Sequence, residues 1–290
     1  MMWRLLGRAD PDRLVDARLQ LHWAAQIVAS VGYSFVDEMP AWAHLSLSFE
    51  DGRMISRPAS RDPSFRAALD PATLEIVLFD AGGEIVDSAT VNNRTLDEGY
   101  LWLTAAITHY LGEPVTLTRP NHDLPSHPIG ARGRFALRPG KHFHEVSSWY
   151  HNAKMVIERT VADLDHASPV RCWPHHFDIA SLVTLDPDMD PEIAPSIGVG
   201  LSPGDAVSDQ PYFYCTPWPY LGAVDLPPLA SGGTWHNLGW TGALLKGEQV
   251  VEHGTTDAQF LAVEAFLRSA VEACRELLAN LKLKKLKTEN

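Results

Sequence analysis

Cysteine is scarce in this 290-residue chain: Cys172, Cys215 and Cys274 stand far apart, and no Cys-x-x-Cys pair exists. Neither a disulfide scaffold nor a zinc knuckle is therefore indicated, and a reduced, cytoplasmic chain fits best. Long hydrophobic runs are also missing, since none approaches the roughly 20 residues that a bilayer span requires. The opening Met1-Met2-Trp3-Arg4-Leu5-Leu6-Gly7-Arg8-Ala9-Asp10 breaks into charge before a signal-peptide core is reached. Positive charge is in deficit, with 24 Lys and Arg against 36 Asp and Glu, for a formal net charge of -12. That balance argues against a nucleic-acid surface and against an anionic membrane as partner. The local exception is the tail, Leu281-Lys282-Leu283-Lys284-Lys285-Leu286-Lys287, read as a solvated helix end. No HExxH and no GKS or GKT occurs, so neither a compact metal motif nor a phosphate loop is present.

What is present is a balanced, 45% hydrophobic composition and two passes of one pattern. Leu14, Ala17, Leu21, Ala24 and Val28 recur at three- and four-residue steps and predict a helix over about 11–30, ended by Gly32. His44 to Phe49 alternates like a strand. Leu74–Phe79 and Ile85–Ala89, joined by Asp80-Ala81-Gly82-Gly83, read as a hairpin. Thr95 and Glu98 form a capping-box signature for a helix running to about Tyr110. The second pass begins with Val146, Trp149, Tyr150, Ala153, Val156 and Ile157 on one helical stripe. Strands follow at Phe177–Thr184, Ile197–Leu201 and Tyr212–Thr216, with an added strand from Thr234 to Leu245. A closing helix starts near Thr256, with Gln259 as its capping-box partner. Leu21-His22-Trp23 is echoed by Tyr150-His151-Asn152, and Trp42-Ala43-His44 by Trp173-Pro174-His175. The expected fold is α+β, with two related helix-strand-hairpin-helix lobes whose largely antiparallel sheets pack together. The lobes span 11–111 and 142–280, joined by a Pro/Gly-rich connector at 112–141 and followed by a basic tail at 281–290. One compact domain overall is the alternative. The acidic stretch from Asp186 to Pro195 reads as a solvated excursion.

Candidate chemistry gathers in the second half. In a regular strand His175 and His176 face opposite sides, whereas His176 and Asp178 share one. His176 is then the candidate base, Asp178 its orienter, and His236 a second acid-base or ligand group. His175, His176, Asp178 and His236 are also the candidates for a divalent metal, which needs three converging groups and an open position. His122 and His127 lie in the connector, with His142, His144 and His151 just after it. Tyr212, Tyr214 and Trp218 belong to an aromatic cluster that can form a substrate wall or a seam between lobes. Asp205, in the Ser202-Pro203-Gly204-Asp205 turn, is a further binding candidate.

The blocks Trp173-Pro174-His175-His176-Phe177-Asp178, Gly200-Leu201-Ser202-Pro203-Gly204-Asp205, Pro211-Tyr212-Phe213-Tyr214 and Trp235-His236 through Gly239-Trp240 resemble those of an uncharacterised bacterial protein family. Thr95-Leu96-Asp97-Glu98-Gly99 and the stretch from Pro120 to Pro128 extend the resemblance over most of the chain. It implies no activity, substrate or cofactor. The residues themselves favour a hydrolase or proton-transfer enzyme acting on a small polar molecule. A non-catalytic small-molecule binding protein and a structural or protein-interaction protein are the alternatives.

Overall fold

The computed structural model describes residues 2–190, 193–221 and 225–288, and their side chains except at residues 41 and 282–288. The side chains of the lysines in the basic tail, and residues 191–192 of the acidic excursion, thus lie outside what is described. The fold is α+β with two antiparallel sheets. The chain divides into two compact units, one comprising Arg8–Ser148 with Arg171–Asp178, the other Met1–Gly7, Trp149–Val170 and Ile179–Asn290. We refer to these as the first and second unit.

The first unit opens with α1 (Val15–Phe35), whose buried residues include Ala17, Leu21, Ala24 and Val28. The helix does not stop at Gly32. A Cβ there would lie 2.7 Å from the carbonyl oxygen of His44, so glycine serves close backbone approach rather than termination. His44 belongs to a short 3₁₀ segment, Pro40–Leu45, and not to a strand. Five strands follow as a meander: β1 (Ser48–Glu50), β2 (Arg53–Ile55), β3 (Phe65–Asp70), β4 (Glu75–Asp80) and β5 (Ile85–Thr90). The β4–β5 hairpin forms at the expected turn. The helix α2 (Leu96–Leu111) has the full reciprocal capping box, with the Thr95 hydroxyl accepting from the Glu98 N–H and the Glu98 carboxylate accepting from the Thr95 N–H. The short β6 (Arg171–Trp173) returns to this unit, because Leu47 and Cys172 exchange backbone hydrogen bonds of 2.9 and 2.8 Å.

The helix α3 (Gly140–Val161) continues from the first unit into the second, where Trp149, Tyr150, Ala153, Val156 and Ile157 are fully buried. The remaining strands are β7 (Asp178–Thr184), β8 (Ser196–Ser202), β9 (Tyr212–Trp218), β10 (Thr234–His236) and β11 (Gly242–Lys246). In the second unit they neighbour one another in the order β10-β11-β9-β8-β7. The single added strand expected over 234–245 is thus a hairpin, β10–β11, with β11 inserted against β9. Two helices close the chain, α4 (Gly247–Val251) and α5 (Thr256–Thr288). Val263, Leu267, Ala270, Val271 and Cys274 form the buried stripe of α5, and Phe260 meets Trp3 edge to face. Gln259 does not cap its own helix: its amide bonds the Trp3 indole N–H and both backbone groups of Leu6. Tying the N-terminal segment satisfies a fully buried amide more completely than a local cap does.

Candidate functional site

Directly after β6, the Pro174-His175-His176-Phe177 tract is a tight turn, not a strand. Phe177 donates its N–H to the Trp173 carbonyl at 2.7 Å and takes a left-handed φ of 53°, unusual for a bulky side chain. Its ring is buried and stacked on His22 of α1, with centroids 5.0 Å apart and an interplanar angle of 9°. That packing holds the strained residue in place. Strand alternation therefore does not apply, and the rings of His175 and His176 lie together with centroids 4.3 Å apart.

Pro174 fastens the turn to α1. Its carbonyl accepts from His22 Nε2 at 2.9 Å and from Gln26 Nε2 at 2.8 Å. Since a carbonyl only accepts, His22 carries its proton on Nε2 in this arrangement. Gln26 also donates to the His22 carbonyl at 2.9 Å, so its NH₂ group faces two acceptors and the amide orientation is fixed. Gln26 is 1% exposed, and its Oε1 has no partner among the described residues.

The connector supplies the last imidazole. His122 Nδ1 lies 3.4 Å from the hydroxyl of Tyr33, also on α1, and its ring centroid is 6.1 Å from that of His175. His122 Nε2 is buried without a partner among the described residues. Four imidazoles from three separate stretches of chain thus converge beside Trp173, whose ring meets His175 edge-on at 6.1 Å.

Burial and this proximity together set the protonation of the cluster. Burial drives the His22 pKa down to about 4, against the opposing effect of the Pro174 carbonyl, and His122, Arg18 and His176 push it the same way as burial. Burial, then His176 and His122, lower His175 to about 4. His122 is lowered by burial and by His176. His176, the exposed member, acts on all three of the others. No group of three or more His, Cys, Asp or Glu side chains among the described residues is arranged to hold a metal ion.

Other sequence candidates belong to the second unit. Tyr212, 3% exposed, donates its hydroxyl to Asp205 Oδ2 at 2.5 Å, and Ser202 donates to the same oxygen at 3.2 Å. Asp205 Oδ1 accepts from the Val207 N–H, so both oxygens of this carboxylate close their own turn. Tyr214 lies over Gly200, where a Cβ would come within 2.5 Å of its ring. Trp218 is exposed and meets Tyr220 edge to face. His236 Nε2 lies 2.9 Å from the Leu238 carbonyl, inside the β10–β11 turn, with its ring against Trp240. His176 and Asp178, in contrast, fall in the first unit.

No family model matches this chain, and neither does any curated protein or solved structure. No helix among the described residues is long and apolar enough to cross a membrane. Sequence reading picked out His175 and His176, but not His22, Gln26 or Tyr33. Their one signal was the spacing of 22, 26 and 33 on a single face of α1.

Proposed function

We propose that the first unit carries a hydrolytic or proton-transfer site for a small polar molecule, with His176 as the group that exchanges the proton. The observation that carries this reading is the convergence of His22, His122, His175 and His176 beside Trp173. His22 is committed to a backbone carbonyl, so it positions the turn rather than reacting. His176 is exposed, and its ring nitrogens make no hydrogen bond among the described residues. Trp173 offers a flat apolar surface of the kind that commonly lines a small-molecule site.

Non-catalytic binding is the second reading, and one observation favours it. An imidazole whose pKa is about 4 stays neutral at pH 7 but is a weak base, so His175 serves better as a hydrogen-bonding group than as a proton acceptor. The two readings part on one assay, with p-nitrophenyl acetate and p-nitrophenyl phosphate as hydrolytic probes. The catalytic reading expects His176→Ala to reduce turnover of an accepted probe by at least about tenfold, and His236→Ala to leave it unchanged. Equal rates in wild type and His176→Ala would remove His176 from the chemistry and leave binding as the account.

We further infer that the two units are related lobes. Each has a leading helix, an antiparallel sheet and a closing helix, although only the first sheet is a simple meander. The echoed histidines also behave alike, since His22 bonds the Pro174 carbonyl and His151 the Met2 carbonyl. In both cases a histidine on the leading helix fastens an irregular backbone segment to that helix.

A further inference from the structure

A cavity of about 510 Å³ opens in the second unit, a size that suits a small molecule. Met2 and Trp3 of the N-terminal segment line it, with Met155 and Arg159 of α3 and Asp257 and Phe260 of α5. Trp3 and Phe260 form an edge-to-face wall, with centroids 5.9 Å apart and planes at 65°. The Trp3 indole N–H donates to Gln259 Oε1 at 3.1 Å, which fixes the ring. Met2 and Met155 add thioethers, which make favourable contacts with aromatic rings. Two opposite charges complete the cavity. The Arg159 guanidinium lies over the Phe260 ring, 5.5 Å from its centroid, and its Nε–H donates to Glu264 Oε1 at 2.6 Å. Arg268 shares that oxygen at 3.3 Å, so one carboxylate serves two guanidiniums and the trio keeps a surplus positive charge. Both terminal Nη groups of Arg159 are left for another acceptor. Asp257 precedes Phe260 by three residues, one turn back along the same face of α5. Its residue is exposed, and its carboxylate is in no ion pair or hydrogen bond among the described residues.

We propose that this cavity binds a free aromatic α-amino acid as its zwitterion, with the carboxylate on Arg159, the ammonium on Asp257 and the ring against Trp3, Phe260 and Met155. Arg159 lies at the level of Phe260, about one helical turn, or ~5.4 Å, from that of Asp257. An α-amino acid carries both its charges on one carbon, and a hydrogen bond of about 2.9 Å to each partner spans such a gap. A ligand with a single charge would leave either the surplus cation or Asp257 unanswered. The wall selects the aromatic class, because rings pair edge to face and thioether sulfur favours a ring edge. The cavity shares no residue with the histidine turn, so this inference is independent of the role of His176.

The test titrates L-phenylalanine, 3-phenylpropionate and phenethylamine into the full chain, with binding read by calorimetry and by the indole N–H resonance of Trp3. L-Phenylalanine should bind saturably, and each analogue, lacking one charge, at least about fivefold more weakly. Arg159→Gln should weaken L-phenylalanine and 3-phenylpropionate about fivefold and leave phenethylamine unchanged. Asp257→Asn should weaken L-phenylalanine and phenethylamine and leave 3-phenylpropionate unchanged. Lys154→Gln removes a cation next to Met155 but outside the cavity lining, and should bind all three as wild type does. No saturable binding of L-phenylalanine to wild type, or equal binding of the three compounds, overturns the assignment. A loss in either charge variant that falls on all three compounds alike overturns it too, since that marks disturbed packing rather than a missing charge.

Discussion

Replacing Trp149 by alanine should lower the unfolding free energy by about 3–5 kcal/mol, the largest effect expected from a single core change. Trp149 is fully buried on α3, and its ring centroid lies 6.1 Å from that of Phe213 on β9. Tyr150, Val156 and Ile157 on the same helix are equally buried. Rigid elements on both sides of the ring limit how far the space can collapse, so the cavity left behind adds to the lost transfer energy. The indole N–H makes no hydrogen bond among the described residues. Trp149→Phe should therefore cost far less than alanine, because it removes volume while relieving an unsatisfied donor. Urea denaturation of the two variants checks the order. A cost under about 1 kcal/mol for alanine would mean that Trp149 does not sit in a tightly packed core.

Acid should weaken the first unit through His22. Its folded pKa of about 4 lies below the unfolded value of 6.5, so unfolding takes up a proton between those two pH values. The stability this group permits is intact above pH 6.5 and declines as pH falls towards 4. The full shift amounts to ~3 kcal/mol. His175 acts in the same direction. Glu98 and Glu264, both held below the ordinary carboxylate range, also lose stability in acid, but over a lower window. The informative quantity is thus the difference between wild type and His22→Gln at pH 7 and pH 4.5. Wild type should lose stability more steeply than the variant, since glutamine has no proton to gain. Equal losses would mean that His22 is not buried in neutral form.

Local chemistry was legible in the sequence wherever one short-range rule decided the outcome. The Thr95–Glu98 box formed as read because both partners lie within one helical turn. The β4–β5 hairpin followed from its glycine turn. The reading went astray where distant contacts overrode such rules. Thr256 and Gln259 have capping-box spacing, yet Gln259 is drawn away by Trp3 and Leu6, more than 250 residues distant in sequence. The strand β3 was missed because Phe65, Ala67, Ala68 and Leu69 are all buried and leave no alternation to detect. Parity separated His175 from His176 only on the premise of an extended chain. The stacking of Phe177 on His22 cancels that premise by holding a left-handed residue in place. His22 could not be seen as a partner at all, because its connection to Pro174 spans 152 residues.

The most direct test of the converging imidazoles is a pH titration of the full chain carrying ¹⁵N-labelled histidine, followed through the ring nitrogen shifts. The account predicts that His22 and His175 remain neutral down to about pH 4. It also predicts that His122 and His175 respond when His176 is replaced by alanine, since each feels the charge on His176. Titration of His22 and His175 near the ordinary value of about 6.5, with no response of either neighbour to His176→Ala, would contradict the cluster and the function built on it.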